Sequence, residues 1–432
     1  MARWFRRTRN DDLRLFFFVC CDMNMKSEMK KRPRVLILMH YMELGGAESA
    51  LLGLLQSVDP MRVDVDVFIY SHRGELMQYV PTDKVHLLDE VKAYSLKEKP
   101  VKEVLKEGYL SLAIARLIGI MRTRQFCGRV QEGDRPYECA PFFQQSLTWR
   151  VLPRIKPDVE YDLAISFMTP HFIVLNNVRA KKKMGWIHTD YTRITVDVEN
   201  ELRMWGKLDY IASISHDVGE RFCDVFPSLR SRIIQIENIL NPEFIRTRAD
   251  EEVVDLHDGS ETVLLTIGRY SAPKRMEIIP ELCRRVRDAG VDVKWYIIGY
   301  GNGDVEKTVR ENMKKENVEN HVVLLGKKDN PYPYIKACDV YVQPSKYEGK
   351  SITVREAQIM EKPVVVSNYP TAKSQVIDGE DGIIVPLDVA DGANALASFL
   401  KDACSRRRIS QYLSAHDYGN VDEIEKIYKL LL

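Results

Sequence analysis

The chain has 432 residues and a formal net charge of +1, with 63 Lys and Arg against 62 Asp and Glu. This length predicts two domains of roughly 200 residues each, and the 45% hydrophobic content excludes an intrinsically disordered chain. A balanced charge creates no global field that attracts nucleic acid, so nucleic-acid binding is not expected.

The eight cysteines are scattered, without a Cys-x-x-Cys pair or a His/Cys cluster at zinc spacing. Several lie in apolar runs, as Cys338 does, so we expect reduced packing residues in a cytoplasmic protein. No metal site and no cofactor are expected.

Residues 1–32 are predicted to be a leader outside the fold. Four arginines precede the short apolar run 15–21, as in signal peptides, but no small-residue cleavage site follows. A dispensable leader, a weak membrane-surface anchor and an export signal are the three interpretations. The sequence has no apolar run of the roughly 18 residues needed to span a bilayer.

The first domain is predicted over residues 33–240. Arg34–Met39 is a nearly continuous apolar run, typical of a strand buried on both faces of a parallel sheet. A glycine loop, a helix over 49–57 and an alternating strand over 63–70 complete a right-handed βαβ unit. Further strands are predicted over 162–167, 183–187 and 210–213.

The Lys- and Arg-rich stretch 93–144 predicts helices inserted in or flanking this sheet. Their outer surface is interpreted either as an ordinary solvated face or as a contact with an anionic membrane or a lipid-linked substrate.

The second domain is predicted over residues 241–410, with 241–259 as a polar, acidic linker. Helices alternate with short apolar strands from 262 to 367, which predicts a second doubly wound parallel sheet. Residues 411–432 are predicted to form a helix that returns to the first domain. Two such sheets face a cleft, and ligands bind where the strands end.

Two glutamates eight residues apart, Glu348 and Glu356, are the strongest candidate site. A strand ends before them, a glycine loop follows, and a helix begins near Ser351–Thr353. Backbone N–H groups at a helix N-terminus bind anions, and carboxylates accept hydrogen bonds from vicinal sugar hydroxyls. The alternative interpretation is ordinary surface charge, with Glu356 stabilising the helix dipole.

Three further features follow predicted strands. Arg269 and Lys274 suit a diphosphate, although surface salt bridges are the plainer interpretation. Gly45-Gly46 allows close backbone approach to a ligand or a positive φ, or forms a simple turn. His188 follows Trp186-Ile187 and precedes Asp190, so it is either a cleft residue or a structural histidine.

The segment Gly299-Tyr300-Gly301-Asn302-Gly303 resembles a dinucleotide fingerprint only superficially. Its spacing is Gly-x-Gly-x-Gly, whereas the fingerprint needs Gly-x-Gly-x-x-Gly. The segment therefore gives little support for NAD.

Together these residues resemble retaining glycosyltransferase family 4, whose fold is GT-B: two Rossmann-like α/β domains facing a cleft. Glu348 and Glu356 match its Glu-x7-Glu motif, and Gly268-Arg269 with Lys274 matches its phosphate-binding strand end. The glycine loop, the His188 segment, Lys362–Val365 and Asp381-Gly382 also look like family landmarks. The sequence Glu348–Ser351 resembles a branch found in bacterial capsule and surface-polysaccharide enzymes.

The resemblance implies hexosyl transfer, with retention of configuration, from a UDP- or GDP-sugar to a glycan or lipid-linked acceptor. It implies that Glu356 holds the donor ribose and that Glu348 contacts the donor sugar. Arg269, Lys274 and the turn Ser351-Ile352-Thr353 bind the diphosphate without a metal. Gly45 and Gly46 allow domain closure, and His188 lies near the reacting sugar. The resemblance also implies a cytoplasmic protein that lies at the inner face of the membrane.

Lys350 and Arg355 depart from the family pattern, which predicts an altered donor preference. The unfamiliar insert 127–143 is a candidate for acceptor specificity. Rival interpretations are a non-catalytic partner subunit on the same fold, a nucleotide-sugar epimerase, and, more distantly, a nicotinamide oxidoreductase.

Overall fold

The computed structural model describes residues 32–130, 139–259, 261–301 and 303–432. The predicted leader therefore lies outside the described residues, except for Arg32, which pairs with Asp64.

The first sheet has seven parallel strands in the order β3-β2-β1-β4-β5-β6-β7. The strands are β1 Arg34–Met39, β2 Asp64–Ile69, β3 His86–Leu87, β4 Tyr161–Ser166, β5 Ala180–Ile187, β6 Tyr210–Ser213 and β7 Ile233–Gln235. The helices around it are α1 Gly46–Gln56, α2 Lys92–Ser95, α3 Val101–Lys106, α4 Leu110–Arg129, α5 Ala140–Thr148, α6 Phe172–Asn177, α7 Val198–Trp205 and α8 His216–Val225. The described residues of the stretch 93–144 are mainly helical, as predicted, and residues 131–138 of the predicted insert 127–143 lie outside the described residues.

The second sheet has six parallel strands in the order β10-β9-β8-β11-β12-β13. The strands are β8 Thr262–Ile267, β9 Val293–Ile298, β10 Val322–Gly326, β11 Val340–Gln343, β12 Val364–Ser367 and β13 Ile383–Val385. The helices that follow the first domain are α9 Pro242–Ala249, α10 Ile279–Asp288, α11 Gly303–Lys315, α12 Tyr332–Ala337, α13 Ile352–Ile359, α14 Val389–Lys401, α15 Ala403–Ser414 and α16 Ile424–Lys429.

Both sheets reverse strand order beside their first strand, β1 or β8, which makes each of them doubly wound. Helices cover both faces, so central strands such as β1 are apolar along nearly their whole length. In β1 every residue from Val35 to Met39 is buried. The α/β fold class with two doubly wound domains is confirmed.

The segment predicted to be a linker begins with helix α9 instead. The Asn241 side chain accepts a hydrogen bond from the Phe244 N–H group and so caps the helix, and Pro242 occupies its first turn. Ile245 and Ala249, one turn apart, are buried in the second domain. The polar composition of this segment concealed an amphipathic helix.

The C-terminal segment crosses between the two cores. Ile409 and Leu413 of α15 pack in the second domain, whereas Ile424 and Ile427 of α16 pack in the core of the first. The Tyr428 hydroxyl of α16 accepts a hydrogen bond from the Asp59 N–H group at 2.9 Å. The chain thus ends against the first sheet.

Close packing between α1 and the segment that links the two sheets gives a stability prediction. A Cβ atom on Gly53 would lie 1.9 Å from the Ile239 carbonyl oxygen, which is backbone and cannot move alone. We expect Gly53→Ala to lower the free energy of unfolding by about 2–3 kcal/mol, measured by urea denaturation. The control is Gly128→Ala in α4, where no described atom would lie within 4 Å of the new Cβ. That control should be neutral or stabilise by about 0.5 kcal/mol, and equal destabilisation by both variants would contradict the packing argument.

Candidate functional site

The ends of β8 and β9 are held unusually close together. A Cβ atom on Gly299 would lie 2.5 Å from the Gly268 carbonyl oxygen, so only glycine fits there. The Gly268 N–H group bonds the Ile298 carbonyl, and the Tyr270 N–H group bonds the Tyr300 carbonyl. Gly299 therefore packs against the strand end that carries Arg269.

Lys274 and Glu348 form a direct ion pair. The Lys274 Nζ atom lies 2.7 Å from Oε1 of Glu348, and the Ser345 hydroxyl donates to the same oxygen at 2.6 Å. The Thr371 hydroxyl donates to the Glu348 carbonyl oxygen at 2.8 Å. Glu348 is only 8% exposed. The structure thus joins two predicted site residues, 74 positions apart in the chain.

Arg269 is exposed at the end of β8, and its guanidinium has no hydrogen-bond or ion-pair partner within the described ranges. Its charge acts on the carboxylate of Glu48, in helix α1 of the first domain. Burial raises the pKa of Glu48, and the field of Arg269 opposes that rise. Arg269 is therefore a free cation that faces the first-domain glycine loop.

Glu356 lies in the second turn of α13 and is buried. The Tyr332 hydroxyl donates a hydrogen bond to its Oε1 atom at 2.9 Å. Burial raises the pKa of Glu356 to about 7, although Tyr332 and the charge of Arg248 oppose the shift. Such a carboxyl group is poised between its two protonation states near neutral pH.

The turn Ser351-Ile352-Thr353 begins α13, as predicted within one residue. The Ser351 N–H group is already bonded to the Gln375 side chain at 3.0 Å, so it is not available to an anion. The Thr353 hydroxyl accepts from the Tyr341 hydroxyl at 2.7 Å. In the described structure the N–H groups of Ile352 and Thr353 have no protein acceptor. Those two groups are the anion-binding part of the turn.

The Gly45-Gly46 loop precedes helix α1 and meets the second domain. Gly45 has φ −171°, and Gly46 is not among the positive-φ glycines, so of the alternatives for this loop the positive φ is not adopted. A Cβ atom on Gly46 would lie 3.7 Å from Cδ1 of Ile352. The Tyr300 hydroxyl also bonds the Leu44 carbonyl. The loop thus lies at the contact between the domains, whereas the tight packing of Gly45 is against Glu48 of its own domain, whose Oε2 atom would lie 2.2 Å from a Cβ atom there.

His188 follows β5 and packs against the ring of Phe167, which in turn contacts the ring of Trp186. Its Nε2 atom lies 2.8 Å from the Phe167 carbonyl oxygen, which fixes Nε2 as the donor and leaves the lone pair on Nδ1. Burial lowers the pKa of His188 to about 4. His188 is therefore neutral at physiological pH, and no direct contact with the second-domain site residues is found among the described residues.

Sequence reasoning missed Arg248 and Tyr79. Arg248 is 2% exposed, and its guanidinium lies 3.6 Å above the ring centre of Tyr79 and donates to the Tyr79 hydroxyl at 2.9 Å. The same guanidinium lies 5.8 Å from the Tyr332 ring, next to the Glu356 hydrogen bond. A first-domain tyrosine is thus linked to the surroundings of Glu356. The only signal in the sequence is that Phe244 and Arg248 are four residues apart, a spacing that places them on the same face of a helix.

Lys350 and Arg355, predicted to change donor preference, make contacts at the junction of the domains instead. Lys350 pairs with Glu237, just after β7, and the Arg355 guanidinium lies 5.0 Å above the ring of Tyr418. Tyr418 in turn donates to Asp381 at 3.0 Å. These contacts hold the crossing chain segments together and give no geometric support to a donor-selecting role.

A group of possible metal ligands lies at the other end of the second sheet, where its strands begin. Glu261, Asp292 and His321 precede β8, β9 and β10, with their ligand atoms within 4.8 Å of one another. Arg287 pairs with Asp292, so a cation already neutralises part of this group. It lies away from the strand ends that carry Arg269 and Glu348.

Comparison with known proteins finds a family match in the second half of the chain. Residues 248–415 match the family described as "Glycosyl transferases group 1". A poly(ribitol-phosphate) alpha-N-acetylglucosaminyltransferase of Staphylococcus aureus is 28% identical over 130 residues, which are 30% of this chain and 26% of that protein. A phosphatidyl-myo-inositol mannosyltransferase of Mycolicibacterium smegmatis is 27% identical over 216 residues, or 47% and 53%. The chain spans about half or less of the length of these curated relatives.

The whole chain resembles solved structures in fold. HepE of Anabaena, solved in complex with UDP and glucose, superposes with a TM-score of 0.63 at 16% identity, over 93% of this chain and 99% of that one. The glutamate pair, Arg269, Lys274 and the start of α13 all lie within the matched family region. Residues 248–415 thus resemble a group 1 glycosyltransferase domain, and the chain as a whole has a two-domain GT-B fold.

Proposed function

We propose that the protein is a glycosyltransferase that moves a hexosyl group from a nucleotide-diphosphate sugar to a glycan or lipid-linked acceptor. The observation that carries the proposal is the joint placement, within one matched domain, of a free cation, an ion-paired lysine and two buried carboxylates. Arg269 and Lys274 supply the cations, and Glu348 and Glu356 supply the carboxylates.

The phosphate side of the site consists of cations and backbone dipoles. As the sugar–phosphate bond breaks, negative charge grows on the diphosphate, and preorganised positive groups lower the barrier. Glu348 holds the Lys274 ammonium 2.7 Å from its Oε1 atom before any donor arrives. Arg269 and the N–H groups of Ile352 and Thr353 add donors, so the proposed reaction needs no metal.

The sugar side of the site consists of carboxylates. In this proposal Glu356 accepts hydrogen bonds from the donor ribose, and Glu348 contacts the donor sugar through the oxygen that Lys274 leaves free. The neutral His188 acts as a hydrogen-bond acceptor through Nδ1 near the reacting sugar. We propose front-face displacement with retention of configuration, as in family 4.

The donor and the pathway rest on the similar proteins. HepE was solved with UDP and glucose, and one relative transfers mannosyl groups to a phosphatidyl-inositol, as their names state. We propose a UDP- or GDP-sugar as donor, a role in bacterial surface-polysaccharide or capsule synthesis, and a cytoplasmic protein at the inner membrane face.

A thermal-shift screen of the full chain tests this function. UDP-, GDP-, ADP- and CMP-sugars and NAD are compared on the wild type and on Glu356→Ala. A ligand present at about 100 times its Kd stabilises the fold by about 2.7 kcal/mol, so one nucleotide-sugar should raise the melting temperature by several degrees. The shift should shrink in the variant. Stabilisation by NAD alone, or by no nucleotide-sugar, would instead favour an oxidoreductase or a non-catalytic partner, and conversion of the donor without acceptor would favour an epimerase.

A further inference from the structure

Helix α4 of the first domain exposes a continuous apolar face. Its exposed fractions, given by residue, are Leu110 61%, Ile114 48%, Leu117 46%, Ile118 36% and Met121 53%. At 100° per residue these five side chains fall within an arc of about 100°. We name these five residues the α4 stripe. A row of large apolar side chains on one helix face marks an interaction surface.

The opposite face of α4 anchors the helix to the domain. Leu112, Ala113 and Ala115 are buried, and Gly119 lies against the backbone of Gln144 in α5. The buried Arg116 donates to the Leu96 carbonyl at 3.5 Å and also bonds the Lys99 carbonyl. The stripe is therefore the outer face of a helix whose inner face is already packed against the first domain.

Basic side chains border the stripe on both sides. On the helical wheel Arg124 lies beside one edge, and Arg122 and Arg129 lie beside the other. All three arginines are exposed and have no acidic partner within the described part of the chain. Apolar side chains between free cations are complementary to an anionic lipid surface, where the chains enter the headgroup boundary and the arginines meet the phosphates.

We propose that the α4 stripe docks the protein on an anionic membrane surface. No helix among the described residues is long and apolar enough to cross a membrane, so docking would be interfacial. This inference rests on the proposed function. It adds to that function the surface that would bring the enzyme to a lipid-linked acceptor.

A series of ion pairs connects the segment beneath α4 with the Gly45-Gly46 loop of the first domain. The loop under α4 carries Glu98, which lies 3.3 Å from His40 at the end of β1 and 3.2 Å from Arg73. Arg73 also lies 3.3 Å from Glu43, beside the Gly45-Gly46 loop. The helix that would hold the membrane is therefore linked through these contacts to the loop where the first domain meets the second.

Vesicle flotation with the full chain tests the proposal. Phosphatidylcholine vesicles with and without phosphatidylglycerol are compared for the wild type, Ile114→Gln/Leu117→Gln/Met121→Gln, and Arg122→Gln/Arg124→Gln/Arg129→Gln. The control is Met61→Gln/Val253→Gln, which changes exposed apolar side chains elsewhere. We expect binding that requires phosphatidylglycerol, weakens with salt, falls about tenfold or more in both triple variants, and is unchanged in the control.

Three results would overturn the proposal. One is wild-type binding that survives the stripe substitutions, which would place the anchor elsewhere, for example in residues 1–31. Another is the absence of binding to anionic vesicles. The third is a wild-type dimer in sedimentation velocity that the stripe variant dissociates. Circular dichroism checks folding, and the nucleotide-sugar thermal shift of the stripe variant should equal that of the wild type, so failure of docking is distinguishable from failure of the transferase function.

Discussion

Lys274→Ala is expected to lower the kcat of sugar transfer by about 10²–10³-fold, because the variant loses a preorganised cation where charge develops on the leaving diphosphate. It also leaves the 8% exposed carboxylate of Glu348 without its ion-pair partner. That orphaned charge repels the donor phosphates, so the loss should exceed that from an exposed lysine. The measurement is steady-state release of nucleoside diphosphate with the donor identified by thermal shift.

The matched control is Lys346→Ala, because Lys346 lies two residues before Glu348 but is exposed. Its substitution should change kcat less than about twofold, in line with an exposed charge outside the site. If Lys274→Ala and Lys346→Ala had the same effect, the diphosphate role of Lys274 would be refuted. Circular dichroism and melting temperature separate a catalytic loss from unfolding.

Donor affinity is expected to rise with pH through neutrality. Burial raises the pKa of Glu356 to about 7, and the ionised carboxylate is the stronger acceptor for ribose hydroxyls. If only the ionised form binds, the affinity for the nucleoside diphosphate should increase roughly tenfold between about pH 6 and pH 8. Isothermal titration calorimetry across this range measures the change, and Glu356→Gln should abolish it.

The same group makes the ligand-free fold less stable as pH rises. Its folded pKa of about 7 lies above the ordinary glutamate value of 4.5, so the stabilisation by the bound proton is fully present below about pH 4.5 and is lost as the pH rises to about 7. The loss amounts to about 3 kcal/mol by linkage. Gln keeps the acceptor for Tyr332, so Glu356→Gln should unfold at higher urea than the wild type at pH 8.

Glu201 provides the matched control for both measurements. Burial also raises its pKa to about 7, and it accepts from the Trp205 indole at 3.3 Å, inside the first domain. Glu201→Gln should therefore stabilise the protein at pH 8 as Glu356→Gln does, yet leave the pH dependence of donor affinity intact. If both variants removed the pH dependence of donor affinity, the measurement would report global stability and not the state of the donor site.

The sequence predicted the fold well where strands are buried on both faces. The bounds of Arg34–Met39 and Tyr210–Ser213 are as predicted, because an apolar run ends where burial ends. Helix α1 begins three residues earlier than predicted, since the extended backbone of Gly45 begins the helix without a side-chain cap. Helix α9 was missed although its signals, Asn241 and Pro242, are in the sequence.

The residues of the candidate site could be predicted from the sequence, but the contacts between their side chains could not. The strand ends and the helix start located Arg269, Glu348 and Glu356 along the chain. The pairing of Lys274 with Glu348 depends on how β8 and β11 sit side by side in the sheet, which no local pattern encodes. The pairing of Arg248 with Tyr79 likewise needs the docking of two domains.

Hydrogen exchange measured by mass spectrometry tests the central claim most directly, because it locates a bound nucleoside diphosphate on the chain. The wild type is compared with and without the nucleotide found by thermal shift. We expect protection of peptides over 267–276 and 344–358, and none over 403–414, with the protection lost in Glu356→Ala. Protection confined to other regions, or binding without protection at these two strand ends, would contradict the assignment of the donor site.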